Sequence, residues 1–311
     1  MPSHHDYDPL FSDFRPGQPA FSGEKAKSDQ AVLQEKRSEA KRLKRLRSAT
    51  GVPYPTGYRL FRRLVIGLSA VFIKVEIQQA ERLPQPGGLE YRPKWYCRNA
   101  SAKIDEYAYV LAANHGMIWD ISILGHFKRG MVWICKPAFC DNWLTAMINQ
   151  RMGAVPIWRA GIDGRTSKKN PPEKIARRKA RAHTSEEGMA VALAALHRGI
   201  PVEMFPEGTR QGDAIVESSK KGAAWLAIKA NVPIVPFAII GCSKGDPVVR
   251  KGLLRRRLIL GIVGEPIYPS GIVMFYKNYE RKAAAALTKQ WEKQINELRA
   301  EGQVQLASRK A

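Results

Sequence analysis

The chain has 311 residues, 44% of them hydrophobic, enough for one large domain or two small ones, which excludes disorder throughout. Its 51 Lys and Arg against 28 Asp and Glu give a formal charge of +23 and a pI near 10.1, so a negatively charged partner or surface is required. The four Cys form no Cys-x-x-Cys pair and no His/Cys spacing suited to zinc; with no signal peptide ahead of them, a reducing, cytoplasmic setting is expected.

Residues 1–50 are rich in Ser, Asp, Lys and Arg with little apolar periodicity and read as a disordered or partly helical basic tail. Within it, residues 35–47 carry seven cations against Glu35 and Glu39. Beside an anionic leaflet each such cation contributes about 1 kcal/mol of attraction. Residues 51–311 read as a single domain. Its first feature is a ten-residue apolar stretch, 64–73, between Arg62-Arg63 and Lys74. A bilayer span needs about 20 apolar residues. Residues 58–77 are therefore expected to form a basic amphipathic helix in the membrane interface, with packing on the domain's own core as the alternative.

Apolar runs at 107–113, 131–134, 154–158, 202–205, 234–240 and 258–263 predict buried strands. Helical patterns lie at 137–152, 186–198 and 218–230, the last with Ser218 as cap and with Asn231 and Pro233 at its end. Strands alternating with helices predict an α/β fold, a central sheet flanked by helices. Residues 163–185 read as a basic inserted loop, because 165–181 holds eight cations with only Glu173 as counter-charge. Arg250, Lys251, Arg255, Arg256 and Arg257 read as a solvated face, and 281–300 as a final helix.

Two strings carry chemistry. Asn114 to Asp120 reads Asn-His-Gly-Met-Ile-Trp-Asp, and Phe205 to Arg210 reads Phe-Pro-Glu-Gly-Thr-Arg. The first offers His115 as a general base, with Asp120 near enough to fix its tautomer. Residues five apart on a helix diverge by about 140°, so His115 is expected on the loop before a helix and Asp120 in its first turns. The second offers Arg210 as a planar fork for a phosphate or carboxylate. Either string alone also reads innocently, as an Asp in a helix's first turn or as a Pro/Gly turn. Asn114-His115, Arg159 and Glu207 to Arg210 each follow a predicted strand, so all are expected at one edge of the sheet.

Two further blocks stand in order with these, Gly-Ala-Val-Pro-Ile-Trp-Arg at Gly153 to Arg159 and Val-Pro-Ile-Val-Pro at Val232 to Pro236. Together with Lys136 between the first two, the four blocks resemble the glycerolipid acyltransferase family. The resemblance spans about 58–269. It implies that family's central sheet flanked by helices, here with a basic N-terminal extension. It also implies transfer of a fatty acyl chain from acyl-CoA or acyl-carrier protein to a lysophospholipid, foremost 1-acylglycerol-3-phosphate, giving phosphatidic acid in phospholipid biosynthesis. No cofactor and no metal are implied. His115 would take the acceptor's hydroxyl proton with Asp120 orienting it. No Ser or Cys is clearly paired with His115, so direct attack by the acceptor is more economical than an acyl-enzyme. Asn114, Lys136, Arg159, Glu207, Gly208, Thr209 and Arg210 would form the substrate-binding set. Of these, Arg159, Glu207 and Arg210 would hold phosphate and glycerol, and Gly208 would let the backbone approach closely. Lys136 and backbone N–H groups around 232–236 would hold the acceptor or the developing oxyanion.

Another lysophospholipid or glycolipid acceptor is the alternative within this class. From another class comes a non-catalytic basic protein that binds membrane or nucleic acid. Nucleic acid is disfavoured because the chain lacks an aromatic RNA-binding signature or a recognition helix, and its cations fall in three separated segments. The expected setting is peripheral, at an anionic membrane surface on the cytoplasmic face of the cell membrane.

Overall fold

The computed structural model describes residues 55–84, 108–116, 120, 123, 125–127, 130–159, 163–167, 170–208, 215–243, 246–251, 256–276 and 279–309. The expected tail, 1–50, lies outside them. In chain order the described elements are α1 (Pro55–Ser69), β1 (Ile73–Gln78), β2 (Val110–Ala113), β3 (Val132–Cys135), α2 (Trp143–Arg151), β4 (Ala154–Pro156), α3 (Pro172–Arg181) and α4 (Ser185–His197). They continue with β5 (Val202–Met204), α5 (Gly222–Ala230), β6 (Ile234–Ile240), β7 (Arg250–Lys251), β8 (Arg256–Val263), α6 (Pro269–Phe275) and α7 (Glu280–Ser308). The strands form one mixed sheet in the order β1-β8-β6-β2-β5-β3-β4, with the short β7 pairing β8 beside that path.

Side-chain alternation along the strands divides the core into two layers. Val110, Ala112, Ile234, Ala238, Leu258 and Leu260 face a layer that α4, α5 and α7 cover with Met189, Leu226 and Trp291. Tyr109, Leu111, Val235, Phe237 and Ile259 face the other, with Ile123 and Phe127. Both faces are therefore buried, which is why these strands read as continuous apolar runs rather than as alternating ones. β6 pairs β2 in parallel but β8 antiparallel, so the sheet is parallel where β2 to β5 run together.

Four expectations are corrected. Residues 58–77 are not one helix: α1 stops at Ser69, and 73–78 become β1, paired in parallel along its whole length with β8. The alternation Ile73, Lys74, Val75, Glu76, Ile77 suits a strand, and backbone pairing to β8 satisfies it. On α1 and the turn after it, Leu64, Leu68, Val71 and Phe72 stay exposed. Residues 137–152 split into a 3-10 turn (Pro137–Cys140) and α2, because Asn142 Oδ1 accepts the Thr145 N–H at 2.8 Å and starts a new helix.

The basic loop 163–185 contains α3 and the start of α4. Asp141 takes the Arg178 guanidinium and, at 3.3 Å, the Lys174 ammonium, while Arg181 donates to the Asp141 carbonyl at 2.7 Å. Part of this charge therefore fastens α3 to the end of the 3-10 turn. Ser218 does not cap α5: it has φ +55° and the helix begins after Lys221. Asn231 closes that helix in the left-handed region, φ +53°. No described helix is long and apolar enough to cross a membrane.

Candidate active site

Strands β2, β3, β4 and β5 run parallel, so the residues just past their C-terminal ends meet at one edge. Asn114 and His115 follow β2, Lys136 follows β3, Arg159 follows β4, and Glu207 and Gly208 follow β5.

His115 lies in a loop and Asp120 in helical conformation. His115 Nδ1 is 2.7 Å from Asp120 Oδ2, and the Gly116 N–H donates to the same oxygen at 2.9 Å. Asp120 is fully buried, whereas His115 retains 15% side-chain exposure, so the carboxylate holds a ring whose far edge can meet a substrate. The His115 ring also rests on Phe205, centroids 4.5 Å apart. A Cβ at Gly116 would meet Ser243 Oγ at 2.8 Å, so a larger residue there would force the 242–243 turn to shift. The His115 loop is tied to β6 by Asn114, whose amide accepts from Ile239 N at 2.7 Å and donates to Ile239 O at 3.0 Å. Asn114 is buried with both ends of its amide used, and it shapes the loop rather than facing a ligand.

Glu207 Oε1 accepts the His115 backbone N–H at 3.1 Å. Burial pushes the Glu207 carboxyl up to about 7, against the lowering effect of that hydrogen bond and of the Arg299 charge. A carboxyl that keeps its proton to higher pH than an ordinary glutamate therefore stands beside the histidine.

The Arg159 guanidinium is occupied by protein partners. Its Nε and Nη2 meet Asp163 Oδ2 and Oδ1 at 2.9 and 2.8 Å, and Nη1 donates to Gly208 O at 3.0 Å. Gly208 has φ +68°, a conformation that favours glycine. Thr209 and Arg210 lie outside the described residues. The 232–236 block runs beside β2 from its start, Ile234 opposite Val110 and Pro236 opposite Ala112, and the Val232 and Ile234 N–H groups are bonded to Ala227 O and Ile267 O. Pro233 and Pro236 have no N–H. The block therefore leads into a core strand, and its Val232 and Ile234 N–H groups are already bonded within the fold.

A cavity of about 200 Å³ adjoins His115. Ile134, Ile157, Met189 and Met204 line it, and they belong to or pack against the helix-covered layer of the core. Lys136 also lines it. Sequence reasoning missed Asp163, although its i,i+4 spacing from Arg159 is an ion-pair signal. Lys220, also at this cavity, was missed because it lies in a polar stretch. Among the described residues no three His, Cys, Asp or Glu group as metal ligands.

The family model described as Acyltransferase matches residues 74–240, more than half of the chain. The chain belongs to the acyltransferase family. The acyltransferase match starts in β1 and ends with β6, so it includes every described site residue and leaves out α1, β7, β8, α6 and α7. A chloroplastic 1-acyl-sn-glycerol-3-phosphate acyltransferase of Brassica napus is 34% identical over 216 residues, 70% of this chain and 52% of its own. One from Arabidopsis thaliana is 39% identical over 161 residues, 52% of this chain and 40% of its own. The chain thus spans about half the length of the curated relatives it matches. The crystal structure of the 1-acyl-sn-glycerophosphate acyltransferase from Thermotoga maritima is similar over 78% of this chain and 79% of that one, at 18% identity and a TM-score of 0.44.

Proposed function

We propose that this protein transfers a fatty acyl chain from a thioester donor, acyl-CoA or acyl-carrier protein, to the free hydroxyl of 1-acylglycerol-3-phosphate, making phosphatidic acid. The observation that carries the reading is the His115–Asp120 pair, 2.7 Å apart, beside a cavity with an apolar interior. With the Nδ1 proton held by Asp120, Nε2 takes the acceptor's hydroxyl proton. The acceptor oxygen then bonds to the thioester carbonyl carbon, the C–S bond breaks, and the imidazolium returns its proton to the departing thiolate. The apolar part of the cavity suits an acyl chain. The acceptor is suggested by what the relatives from Brassica napus and Arabidopsis thaliana are named for.

The proposed setting is peripheral, at an anionic surface on the cytoplasmic face of the cell membrane. Support comes from the exposed Leu64, Leu68, Val71 and Phe72 on and after α1 and from the charge of +23.

Purified protein offered acyl-CoA and acyl-carrier protein against a panel of lysophospholipids tests the reading. Transfer is expected with 1-acylglycerol-3-phosphate as the best acceptor, falling by at least about 10²-fold in His115→Ala and in Asp120→Asn. A folded protein with no transfer to any lysophospholipid, or near-parent turnover in His115→Ala, overturns it.

A further inference from the structure

The cation on Arg159 is already answered: Asp163 closes its Nε–Nη2 edge and Gly208 O takes Nη1. A phosphomonoester arriving beside His115 therefore needs another positive group. Lys220 stands at the same cavity as His115 and Lys136. Its backbone N–H donates to Pro206 O at 2.8 Å, which fixes it against the 206–208 turn. From there its side chain runs over Gly208: Cε, Cδ and Nζ lie 3.0, 3.3 and 3.8 Å from where a Cβ on that residue would be. Among the described residues the Lys220 ammonium has no ion pair. An ammonium over bare backbone, in the lining of the cavity that His115 also lines, suits a doubly charged headgroup.

We propose that Lys220 receives the phosphate of the lysophospholipid acceptor, while Arg159 acts as a positioning residue that holds the Gly208 carbonyl. The inference rests on the acyl-transfer reading for the identity of the ligand, and its phosphate chemistry is shared with the donor's phosphopantetheine. The test therefore has separate arms for the two.

The probe is a water-soluble, short-chain 1-acylglycerol-3-phosphate, with the phosphate-free 1-acylglycerol as control. Calorimetric binding and acceptor and donor KM values are measured for the parent, Lys220→Met and Lys220→Arg. Lys220→Met is expected to weaken probe binding and raise acceptor KM by roughly 10-fold or more, the usual loss for a charged hydrogen bond. Lys220→Arg should recover most of that loss. The control's affinity, the donor KM and kcat at saturation should stay within about twofold of the parent's. Unchanged probe binding in Lys220→Met overturns the proposal, as does an equal loss for the control. A rise confined to the donor KM assigns Lys220 to the donor's phosphates and also overturns it. Probe binding that depends on Lys220 in a protein that moves no acyl chain sinks acyl transfer but leaves this site standing. Acyl transfer untouched by Lys220→Met does the reverse.

Discussion

Arg159 and Asp163, four residues apart, meet through two N–H···O bonds of 2.9 and 2.8 Å, and the arginine's remaining arm holds Gly208 O. The pair is largely buried, with 19% and 13% side-chain exposure. A guanidinium so placed bolts the end of β4 to the turn after β5.

Replacing Arg159 with Lys, or Asp163 with Asn, should lower kcat/KM about equally for phosphate-headed and phosphate-free acceptors, because the whole turn loosens. Lys keeps the charge and loses the fork. Stability should fall by about 1–3 kcal/mol in either variant. A loss confined to the phosphate-headed acceptor would show that Arg159 grips phosphate itself.

Glu207 provides a pH signature. Its carboxyl titrates near 7 in the fold, against 4.5 for an ordinary Glu, so the folded state binds the proton more tightly than the unfolded chain. The stabilising effect of the neutral form is complete below about 4.5 and is lost as pH rises through 7. Glu207→Gln should therefore gain stability relative to the parent between pH 4.5 and 7, levelling off above, by at most about 3 kcal/mol. Urea denaturation of both proteins at pH 5, 6, 7 and 8 measures this, and a constant difference across that range would contradict it.

Glu203 is more costly to the fold. It lies mid-sheet, paired with Leu111 and Trp133, fully buried, and among the described residues both its carboxylate oxygens lack a hydrogen-bond partner. Burial, together with the nearby Asp120 charge, pushes its carboxyl well above the usual range. The raised value means that stability is lost as pH rises through it. Glu203→Leu or Glu203→Met should thus raise the melting temperature by several degrees at neutral pH, given about 2–4 °C per kcal/mol in a chain of this size. The gain should be larger at pH 7 than at pH 4, where the carboxyl is neutral in the folded and the unfolded chain alike. A lower melting temperature in both variants would mean that the carboxyl is satisfied.

Leu64, Leu68 and Phe72 are 56%, 64% and 62% exposed, too open to support the core. Changing all three to Ser should leave stability within about 0.5 kcal/mol per site. Flotation with anionic vesicles should nonetheless fall sharply, while turnover on detergent-dispersed acceptor persists. Undiminished flotation would move the attachment elsewhere on the protein.

The sequence announces strands buried on both faces most clearly: 234–240 is apolar throughout and forms β6 over the same residues. β1 was less legible because its partner β8 comes from the far end of the chain, and its Lys74 and Glu76 break the apolar run. α3 was hidden by its own charge, since nothing local says that Asp141 receives Lys174 and Arg178. At the site, the His115-to-Asp120 spacing already demands a loop followed by a helix turn. The duties of Arg159, Lys220 and the 232–236 block depend on which strand end each occupies, and only the sheet order supplies that.

The parallel pairing of β1 with β8 has a consequence for synthesis. β1 leaves the ribosome about 180 residues ahead of β8, the strand it pairs with. Trp291, which donates to Ala112 O at 3.0 Å just ahead of the Asn114-His115 turn, emerges later still. Long-range pairings of this kind form late. A nascent chain stalled before residue 256 should present α1 with its greasy face while its catalytic edge is unfinished, so localisation can precede competence within the life of a single polypeptide.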